Sequence, residues 1–490
     1  MKKRFYILLL SVLGLTACYE DKGNYDYNPI PEIELTGFES EYTMYTMDML
    51  DIEPQFEEKD ECNCMWTIFQ IGVAQAPVDT LSTEQDLHYR VTKPSGTYML
   101  ALTVENRKTG DKQIFTSNLT VYSQFSTGCY ILKEIDGKTD IDLVTPEDKL
   151  VPNILEGKET RLEGAPLSFA VCSDINYVDE EGGPHVRVTT AWIASDKDVR
   201  MLTLENMTPV YDIHSMFFDE PKDETPRSIR FLSNNLIYFS NNGVYNMALL
   251  VPTAMHKFGL PLVLRNPSTG DVTSCSCSKY AINGIRYSMF YDEQNQRFLA
   301  CKNGVLYRFL DTWYGRPAIS PNNMNSDLIY LCKTTSYGYA LMYDKTLQKN
   351  VAYLLNTALY DSSYGQWYSP LLEKKELPVS AKVAQGEAFG CNRVNAYIYF
   401  SIGNKLNLFD YITMQEQEDI LPGLDGKITM IKQIQGVNEA QQACEYLVVA
   451  TTNNGHYKIY YCEMLAGKPD LTKTPRVVEG EGAVAEIYNL

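Results

Sequence analysis

The sequence predicts an all-β protein, in which an N-terminal immunoglobulin-like β-sandwich is followed by a β-propeller of about seven blades. Three observations lead to this prediction. Short runs of alternating polar and apolar residues, separated by turn residues, indicate half-buried antiparallel strands. A strand-turn-strand pattern recurs seven times after residue 128. Tyrosine, with 35 copies against 4 of tryptophan, suits half-buried strands better than helical cores.

Residues 1–17 have the pattern of an export signal. Lys2, Lys3 and Arg4 precede an apolar run, from Tyr6 to Leu15, that is shorter than the roughly 20 residues a membrane-spanning helix needs. The run ends in Leu-Thr-Ala-Cys18, which resembles the lipobox of bacterial lipoproteins. This resemblance implies that Cys18 is the lipidated first residue of the mature chain. The alternative is an ordinary secretory signal with a chance cysteine.

Residues 18–32 are predicted to form a lipidated flexible tether, since they are polar, turn-rich and interrupted by Pro29 and Pro31. The acidic pair Glu20-Asp21 resembles the surface-export tag of lipoproteins in gut-dwelling Gram-negative anaerobes. The resemblance implies a protein anchored by lipid in the outer membrane and facing the extracellular side. Several acyl chains together suffice for stable anchoring.

The net charge of the chain limits the classes of partner that we expect it to bind. The formal net charge is -19, and removal of residues 1–17 would make it more negative, because that segment has three basic residues and no acidic one. Nucleic acids and anionic membrane surfaces attract Lys and Arg, so neither is an expected partner. The mature chain is longer than one hydrophobic core usually organises, which predicts at least two domains.

Residues 33–122 are predicted to form the sandwich. The alternating runs are Ile33–Leu35, Met65–Phe69, Thr97–Val104 and Ile114–Val121. About 90 residues of such strands, with Trp66 in an early one, suit an immunoglobulin-like fold.

Two segments of the predicted sandwich resemble PKD-like domains. Pro94–Asn106, followed by Thr109-Gly110, resembles their late-strand signature, and Met65-Trp66-Thr67 stands where their central-strand tryptophan falls. The sequence departs from the pattern after the tryptophan, where PKD domains have an acidic-Gly pair and this chain has Phe69-Gln-Ile-Gly72.

Residues 123–490 are predicted to form the propeller. The seven hairpin copies are 129–143, 192–205, 236–247, 297–309, 328–344, 397–410 and 446–460, several with Asn-Gly or Gly-Asn tips that supply the positive φ of tight turns. Packed in a ring, such units bury faces that no single hairpin can bury. A strand near the C-terminus, at Val477-Val478 or Ala483–Ile487, could complete a blade begun earlier in the chain. The main alternative is a tandem of sandwiches.

No catalytic constellation is recognisable, and no metal, cofactor or catalytic residue is predicted. The five histidines stand apart, and no nucleophile elbow, Walker loop or GxGxxG turn occurs. Eleven cysteines beyond Cys18 show no disulfide framework or zinc spacing and are interpreted mainly as buried apolar residues. Asp136–Asp142 has a passing likeness to a calcium loop but lacks its bidentate glutamate, so a plain hairpin turn is expected.

Two aromatic segments are the predicted ligand-binding residues. Trp313-Tyr314 and Tyr364-Gly-Gln-Trp367-Tyr368 place rings beside glycine, outside the alternating strands. Exposed Trp and Tyr can stack on sugar rings or grip peptide side chains. The alternative is that these rings pack between blades.

Taken together, the lipobox, the Cys18–Tyr27 start, the PKD-like sandwich and the long β region resemble the PKD-like lipoproteins encoded beside SusC/SusD-type nutrient importers. The resemblance implies a non-catalytic accessory protein with two partners, a SusC-like TonB-dependent transporter and a SusD-like lipoprotein. Its ligand would be an oligosaccharide or an oligopeptide. Two alternatives stay open: a surface glycosidase, lyase or peptidase on a propeller scaffold, and a structural spacer or adhesin.

Overall fold

The computed structural model describes residues 33–46, 48–57, 59–72, 76–178, 185–247, 249, 255–265, 270–284, 287–313, 316–358, 367–437 and 442–490. The chain divides into two compact units, Met1–Val121 and Tyr122–Leu490, and the division falls one residue before the end of the predicted sandwich. Strands dominate both units, so the predicted all-β class is confirmed. In the described parts the only α-helix is α1 (Ile154–Gly157), and two 3₁₀ turns cover Lys59–Glu61 and Val383–Gln385.

The N-terminal unit contains two antiparallel sheets. Its strands are β1 (Glu41–Tyr45), β2 (Met49–Ile52), β3 (Cys62–Gln70), β4 (Asp79–Ser82), β5 (Leu87–Arg90), β6 (Gly96–Asn106) and β7 (Lys112–Tyr122). The larger sheet has the order β1-β7-β6-β3-β4, and the smaller one pairs β2 with β5. Three of the four alternating runs lie in β3, β6 and β7, whereas Ile33–Leu35 forms no strand.

The core of the N-terminal unit lies between these sheets. Trp66 is fully buried among Leu50 of the smaller sheet and Leu102 of the larger. Its indole Nε1 donates to the carbonyl oxygen of Glu84 at 3.2 Å, so burial leaves no polar atom of the ring unpaired. Ile33 packs against the edge of this core. The run Ile33–Leu35 alternates because its apolar side chains cover the core, although the segment does not pair with a neighbouring strand.

The C-terminal unit contains seven sheets of three or more strands within its described residues, numbered here along the chain. Sheet 1 holds β8 (Cys129–Ile135), β9 (Lys138–Val144), β10 (Leu150–Val151) and β11 (Leu162–Glu163); sheet 2 holds β12 (Pro166–Val178), β13 (His185–Ser195), β14 (Val199–Thr203) and β15 (Pro209–Asp212); sheet 3 holds β16 (Pro226–Leu232), β17 (Asn235–Ser240) and β18 (Val244–Met247). The short pair β19 (Leu264–Arg265) and β20 (Val272–Thr273) follows sheet 3.

The remaining sheets continue in chain order. Sheet 4 holds β21 (Cys277–Asn283), β22 (Ser288–Asp292), β23 (Arg297–Lys302) and β24 (Val305–Arg308), and is followed by the short pair β25 (Thr312–Trp313) and β26 (Arg316–Pro317); sheet 5 holds β27 (Ser326–Lys333), β28 (Tyr337–Asp344), β29 (Lys349–Asn356) and β30 (Leu371–Glu376). Sheet 6 holds β31 (Phe389–Cys391), β32 (Tyr397–Ile402), β33 (Lys405–Asp410) and β34 (Gln415–Gln417); sheet 7 holds β35 (Lys427–Val437), β36 (Ala443–Asn453), β37 (His456–Leu465), β38 (Lys468–Pro469) and β39 (Arg476–Glu481). The last strand, β40 (Ala483–Asn489), returns to sheet 1 and pairs with β8.

All seven predicted hairpins are confirmed, and each belongs to a different sheet. They are the antiparallel pairs β8/β9, β13/β14, β17/β18, β23/β24, β27/β28, β32/β33 and β36/β37. Asn303-Gly304 has φ angles of 50° and 74°, and Asn454-Gly455 has 50° and 77°. Two successive positive φ angles match the right-handed twist of the strands, which is why these dipeptides form the tips.

The seven sheets follow one another in a cycle. An edge strand of each sheet, called its inner strand here, brings Cα atoms within 8 Å of the inner strand of the next sheet; the inner strands are β40, β12, β16, β21, β27, β31 and β35. Because β35 of sheet 7 also approaches β40 of sheet 1, the succession closes on itself. Of the two segments considered for the late strand, Ala483–Ile487 is the one that completes sheet 1, whereas Val477-Val478 lies in β39 of sheet 7.

The hydrophobic cores follow the same cycle. Seven clusters of buried side chains in the C-terminal unit each lie between two successive sheets. The cluster of sheets 2 and 3 contains Trp192 and Tyr238, and that of sheets 7 and 1 joins Val448 to Ile131. Every sheet therefore has an apolar partner on both faces, which explains why its strands are buried so completely.

A buried ion pair within sheet 1 is also hydrogen-bonded by a residue of sheet 7. The side chains of Lys133 and Asp142 in sheet 1 are 1% and 0% exposed, and Lys133 Nζ lies 2.7 Å from Asp142 Oδ1. The hydroxyl of Tyr457 in sheet 7 donates to Asp142 Oδ2 at 2.7 Å. The segment with the passing likeness to a calcium loop is thus a hairpin: Asp136-Gly137 forms its tip, and Asp142 pairs with a lysine.

Candidate ligand-binding site

The predicted aromatic residues are divided between the core and a peripheral pocket. Tyr314 and Tyr364 lie outside the described residues. Trp367 is only 4% exposed, and its ring centroid lies 5.0 Å from that of the buried Tyr287. This position does not fit the exposed stacking ring that the sequence predicts, because the inter-sheet core covers the indole. Trp313 and Tyr368 are brought together, with half-buried rings 5.7 Å apart between centroids.

A shallow apolar pocket of about 530 Å³ lies beside Trp313. Its other lining residues are Pro317, Ala318, Ile319, Leu371 and Leu372. The pocket belongs to the connection between sheets 4 and 5 and to the edge strand β30, away from the inner strands. It offers apolar contact area but no charged side chain to orient a ligand.

A second cavity, which sequence reasoning missed, lies where five successive inner strands begin. The inner-strand cavity has a volume of about 500 Å³, and its lining includes Leu167 of β12, Arg227 of β16, Lys279 and Tyr280 of β21, Ile329 of β27 and Phe389 of β31. This volume falls within the range of about 300–1,000 Å³ that is typical of ligand pockets. Because each strand comes from a different sheet, the cavity exists only when the sheets are assembled.

Aromatic rings line one side of this cavity. The rings of Tyr280 and Tyr330 meet edge to face at 5.2 Å between centroids, and Tyr330 stacks on Phe389 at 4.8 Å. Burial raises the pKa of the Tyr280 and Tyr330 hydroxyls, so both stay neutral at physiological pH. Tyr280 and Phe389 themselves line the cavity and are partly exposed. Such rings offer flat apolar area of the kind that stacks on sugars.

The carboxylates at the cavity already have cationic partners. Arg227 donates to Glu293 at 2.8 Å, and Lys427 Nζ lies 2.5 Å from Glu387. The hydrogen bond from Lys427 lowers the pKa of Glu387, which is therefore ionised at neutral pH. Lys279, in contrast, makes no ion pair with any residue that the structure describes, and its Nζ lies 5.2 Å from the ring centroid of Tyr280. Desolvation and the nearby charge of Arg230 lower the pKa of Lys279.

Three further charged side chains extend from neighbouring inner strands. Glu486 of β40 accepts from Arg230 of β16 at 3.3 Å, and Lys432 of β35 lies 3.7 Å from the same carboxylate oxygen. Burial raises the pKa of Glu486, but the two cations outweigh it and the net direction is downward. Arg230 and Lys432 are thus two cations on one carboxylate, and the charge of Arg230 also acts on Lys279. This region is therefore positively charged, although the chain as a whole has a net charge of -19.

The cysteine thiols and other potential metal ligands in the described chain form no second candidate site. All eleven described cysteines are free thiols, eight of them buried, as expected for apolar residues. No cluster of three or more His, Cys, Asp or Glu side chains suited to a metal is found among the described residues. Within the same residues, no helix is both long and apolar enough to cross a bilayer.

The sequence carried a weak signal for the inner-strand cavity. Arg230, Lys279 and Lys432 are cations that stand beside apolar residues in the strands that begin sheets 3, 4 and 7. A cation in such a strand must reach solvent or a carboxylate, which marks it as unusual. Only the tertiary structure shows that Arg230 acts on Lys279 and shares Glu486 with Lys432.

The comparisons with known proteins support the N-terminal similarity. None of the curated proteins compared with this chain matches it. Among solved structures, a quinonprotein alcohol dehydrogenase-like protein from Bacteroides thetaiotaomicron matches 92% of this chain and 96% of its own, with 10% sequence identity and a TM-score of 0.34. At that TM-score the similarity assigns neither a fold nor an activity to this chain. Residues 18–166 match the model of the PKD-like family, so the N-terminal part of the chain is similar to that family, as the sequence motifs indicated.

Proposed function

We propose that this protein is a surface-exposed lipoprotein of the outer membrane that binds an oligosaccharide or oligopeptide without catalysis, as an accessory of a SusC/SusD-like TonB-dependent importer. The single observation that carries the binding role is the inner-strand cavity, which combines partly exposed Tyr280 and Phe389 with Lys279, a cation that forms no ion pair within the described part of the chain. Aromatic surface beside a few polar groups that can orient a ligand is a common feature of binding sites.

The C-terminal unit is, in this proposal, a seven-bladed β-propeller. Seven sheets in a cycle, seven cores between them and the pairing of β40 with β8 support it. A tandem of sandwiches would enclose one core for every two sheets, so its cores would not run continuously from the last sheet to the first. Closure by both ends of the C-terminal unit also protects the edges of sheet 1.

The anchor in this proposal is lipid on Cys18. The lipobox-like ending of the N-terminal segment supports it. Growth with a labelled fatty acid tests the anchor: the wild-type chain should carry the label and leave the membrane only with detergent. A Cys18→Ala chain should be unlabelled. Label on the Cys18→Ala chain would show that the lipid is attached elsewhere.

The importer partnership is tested by co-purification. Affinity purification of the full lipoprotein from detergent-solubilised outer membranes should bring down a TonB-dependent transporter and its SusD-like lipoprotein in fixed proportion. An unrelated outer-membrane lipoprotein that carries the same affinity tag is the matched control. If mass spectrometry finds neither partner above this control, the partnership is wrong.

The absence of catalysis is tested separately. Incubation of the purified mature chain with glycan and peptide panels should leave every substrate intact while binding is measurable by calorimetry. New reducing ends or cleaved peptides that persist through repurification would replace the binding role with an enzymatic one.

A further inference from the structure

The charge of the inner-strand cavity indicates the chemical class of its ligand more closely than the shape of the cavity does. The two carboxylates at the cavity, Glu293 and Glu387, are held by Arg227 and Lys427. Lys279 lines the cavity, is exposed, and makes no ion pair among the described residues. A cation without a counterion at the mouth of a cavity attracts an anion, and partial desolvation strengthens that attraction because less water screens the charge.

The neighbouring inner strands add to this field. Arg230 and Lys432 share the single carboxylate of Glu486, which leaves that group with surplus positive charge. The influence of Arg230 reaches Lys279, since its charge opposes protonation of that lysine. An anion bound at Lys279 would relieve this repulsion between like charges. The rest of the protein is strongly acidic, so an anionic ligand is favoured at this place and repelled elsewhere.

The rings beside Lys279 indicate the kind of molecule that bears the anion. Tyr280 and Phe389 present partly exposed aromatic rings to the same cavity. A carbohydrate ring can stack on an aromatic face while a carboxylate on that ring reaches an ammonium a few ångströms away. The Nζ of Lys279 lies over the Tyr280 ring, 5.2 Å from its centroid, so the cation and the ring border the same part of the cavity.

We propose that the inner-strand cavity binds an acidic oligosaccharide, with a uronate carboxylate held by Lys279 and the sugar ring placed against Tyr280 and Phe389. This inference rests on the proposed binding function and narrows it to one substrate class. Arg230 and Lys432 contribute through their charge, while Lys279 makes the direct contact. Acidic peptides, which share the carboxylate but lack the flat sugar face, are the competing ligand that the test separates.

Isothermal titration calorimetry on the full mature lipoprotein in detergent tests the proposal. The probes are trigalacturonate, its methyl ester, in which the carboxylates are neutral, and triglutamate. Wild-type protein should bind trigalacturonate at least about tenfold more tightly than the methyl ester, because a charge-assisted hydrogen bond is lost in the ester. Binding of the acid should weaken with added salt, whereas binding of the ester should not.

Variants test whether Lys279 causes the preference for the acidic ligand. Lys279→Met should weaken trigalacturonate binding about tenfold and leave the ester unaffected, and Lys279→Arg should retain most of the affinity because it keeps the charge. Lys149→Met is the matched control, since it removes the same charge from an exposed turn at the outer side of sheet 1. Circular dichroism and the melting temperature show whether each variant is folded.

Several results would overturn the proposal. These are failure of trigalacturonate to bind, equal affinity for acid and ester, tighter binding of triglutamate, or a Lys279→Met chain that binds as the wild type does. None of them affects the importer partnership, which co-purification decides independently. Binding of neutral oligosaccharides without any effect of Lys279 would leave the binding function in place and remove only the acidic substrate class.

Discussion

Replacing Asp142 with alanine should strongly destabilise the C-terminal unit, because its carboxylate is the acceptor at the junction of sheets 1 and 7. Lys133 Nζ lies 2.7 Å from Oδ1, the backbone N–H of Asn153 donates to Oδ1 at 2.8 Å, and the Tyr457 hydroxyl donates to Oδ2 at 2.7 Å. Removing the carboxylate leaves an ammonium, an amide and a hydroxyl without this acceptor in a region closed to water.

The expected magnitude follows from the burial of the pair. Removing one partner of a buried ion pair typically costs about 3–5 kcal/mol, because the remaining charge is uncompensated. Tyr457→Phe removes a single hydrogen bond to a charged acceptor and should cost about 1.5–3 kcal/mol. The double variant Lys133→Met/Asp142→Leu removes both charges and should recover most of the stability lost in Asp142→Ala, since neither charge is then buried alone.

Urea unfolding of the full chain, followed by circular dichroism and tryptophan fluorescence, measures these differences. Asp148→Asn is the matched control, because Asp148 pairs with Arg476 between the same two sheets but is 70% exposed, and asparagine tolerates the positive φ at this position. An exposed ion pair contributes about 0–1 kcal/mol, so this variant should unfold near the wild-type midpoint.

Two outcomes would refute the reasoning. If Asp142→Ala shifts the free energy of unfolding no more than Asp148→Asn, the buried carboxylate of Asp142 does not stabilise the junction of sheets 1 and 7. If the double variant is as unstable as Asp142→Ala, the loss comes from altered packing rather than from a stranded charge.

Three further predictions concern the core, the acid range and the thiols. Trp66→Ala should destabilise the N-terminal unit by about 3–5 kcal/mol and leave the unfolding transition of the C-terminal unit unchanged, because the indole is fully buried in a separate core. The pKa of Glu486 in the folded chain is lowered, so its ionised form contributes stability above its usual value of 4.5, and that contribution is lost as the pH falls through the folded pKa. Melting temperatures from pH 7 to pH 3 should therefore fall less steeply for Glu486→Gln, and identical slopes would contradict this. Burial raises the pKa of three thiols to about 12, so they should resist iodoacetamide at pH 8 in the native chain and react after unfolding, as mass spectrometry can show; they are Cys172, Cys301 and Cys462.

The hairpins could be predicted because the sequence patterns that specify them lie within a few residues of one another. Each hairpin is specified by alternation over a few residues and by a tip such as Asn454-Gly455, whose positive φ angles few other residues adopt at low cost. The run Ile33–Leu35 shows where such reasoning fails, since alternation reports burial of one face and not pairing with a neighbouring strand.

The aromatic segments illustrate a different limit. Trp313 and Trp367 stand beside similar residues in the sequence, yet one lines a surface pocket and the other is enclosed by the core of sheets 4 and 5. Composition cannot separate these two environments, because large aromatic rings are favoured in both. Their exposure depends on which neighbouring sheet covers them.

The sequence by itself determined the all-β class, the seven hairpins and the chemical signature of the N-terminal segment, since each depends on residues close together in the chain. Only the tertiary structure decided that the sheets follow one another in a cycle, that β40 rather than β39 completes sheet 1, and that Lys279, Tyr280 and Phe389 line one cavity. The physical reason is that these relations join residues far apart in the chain, through packing of apolar faces that many different partners could satisfy.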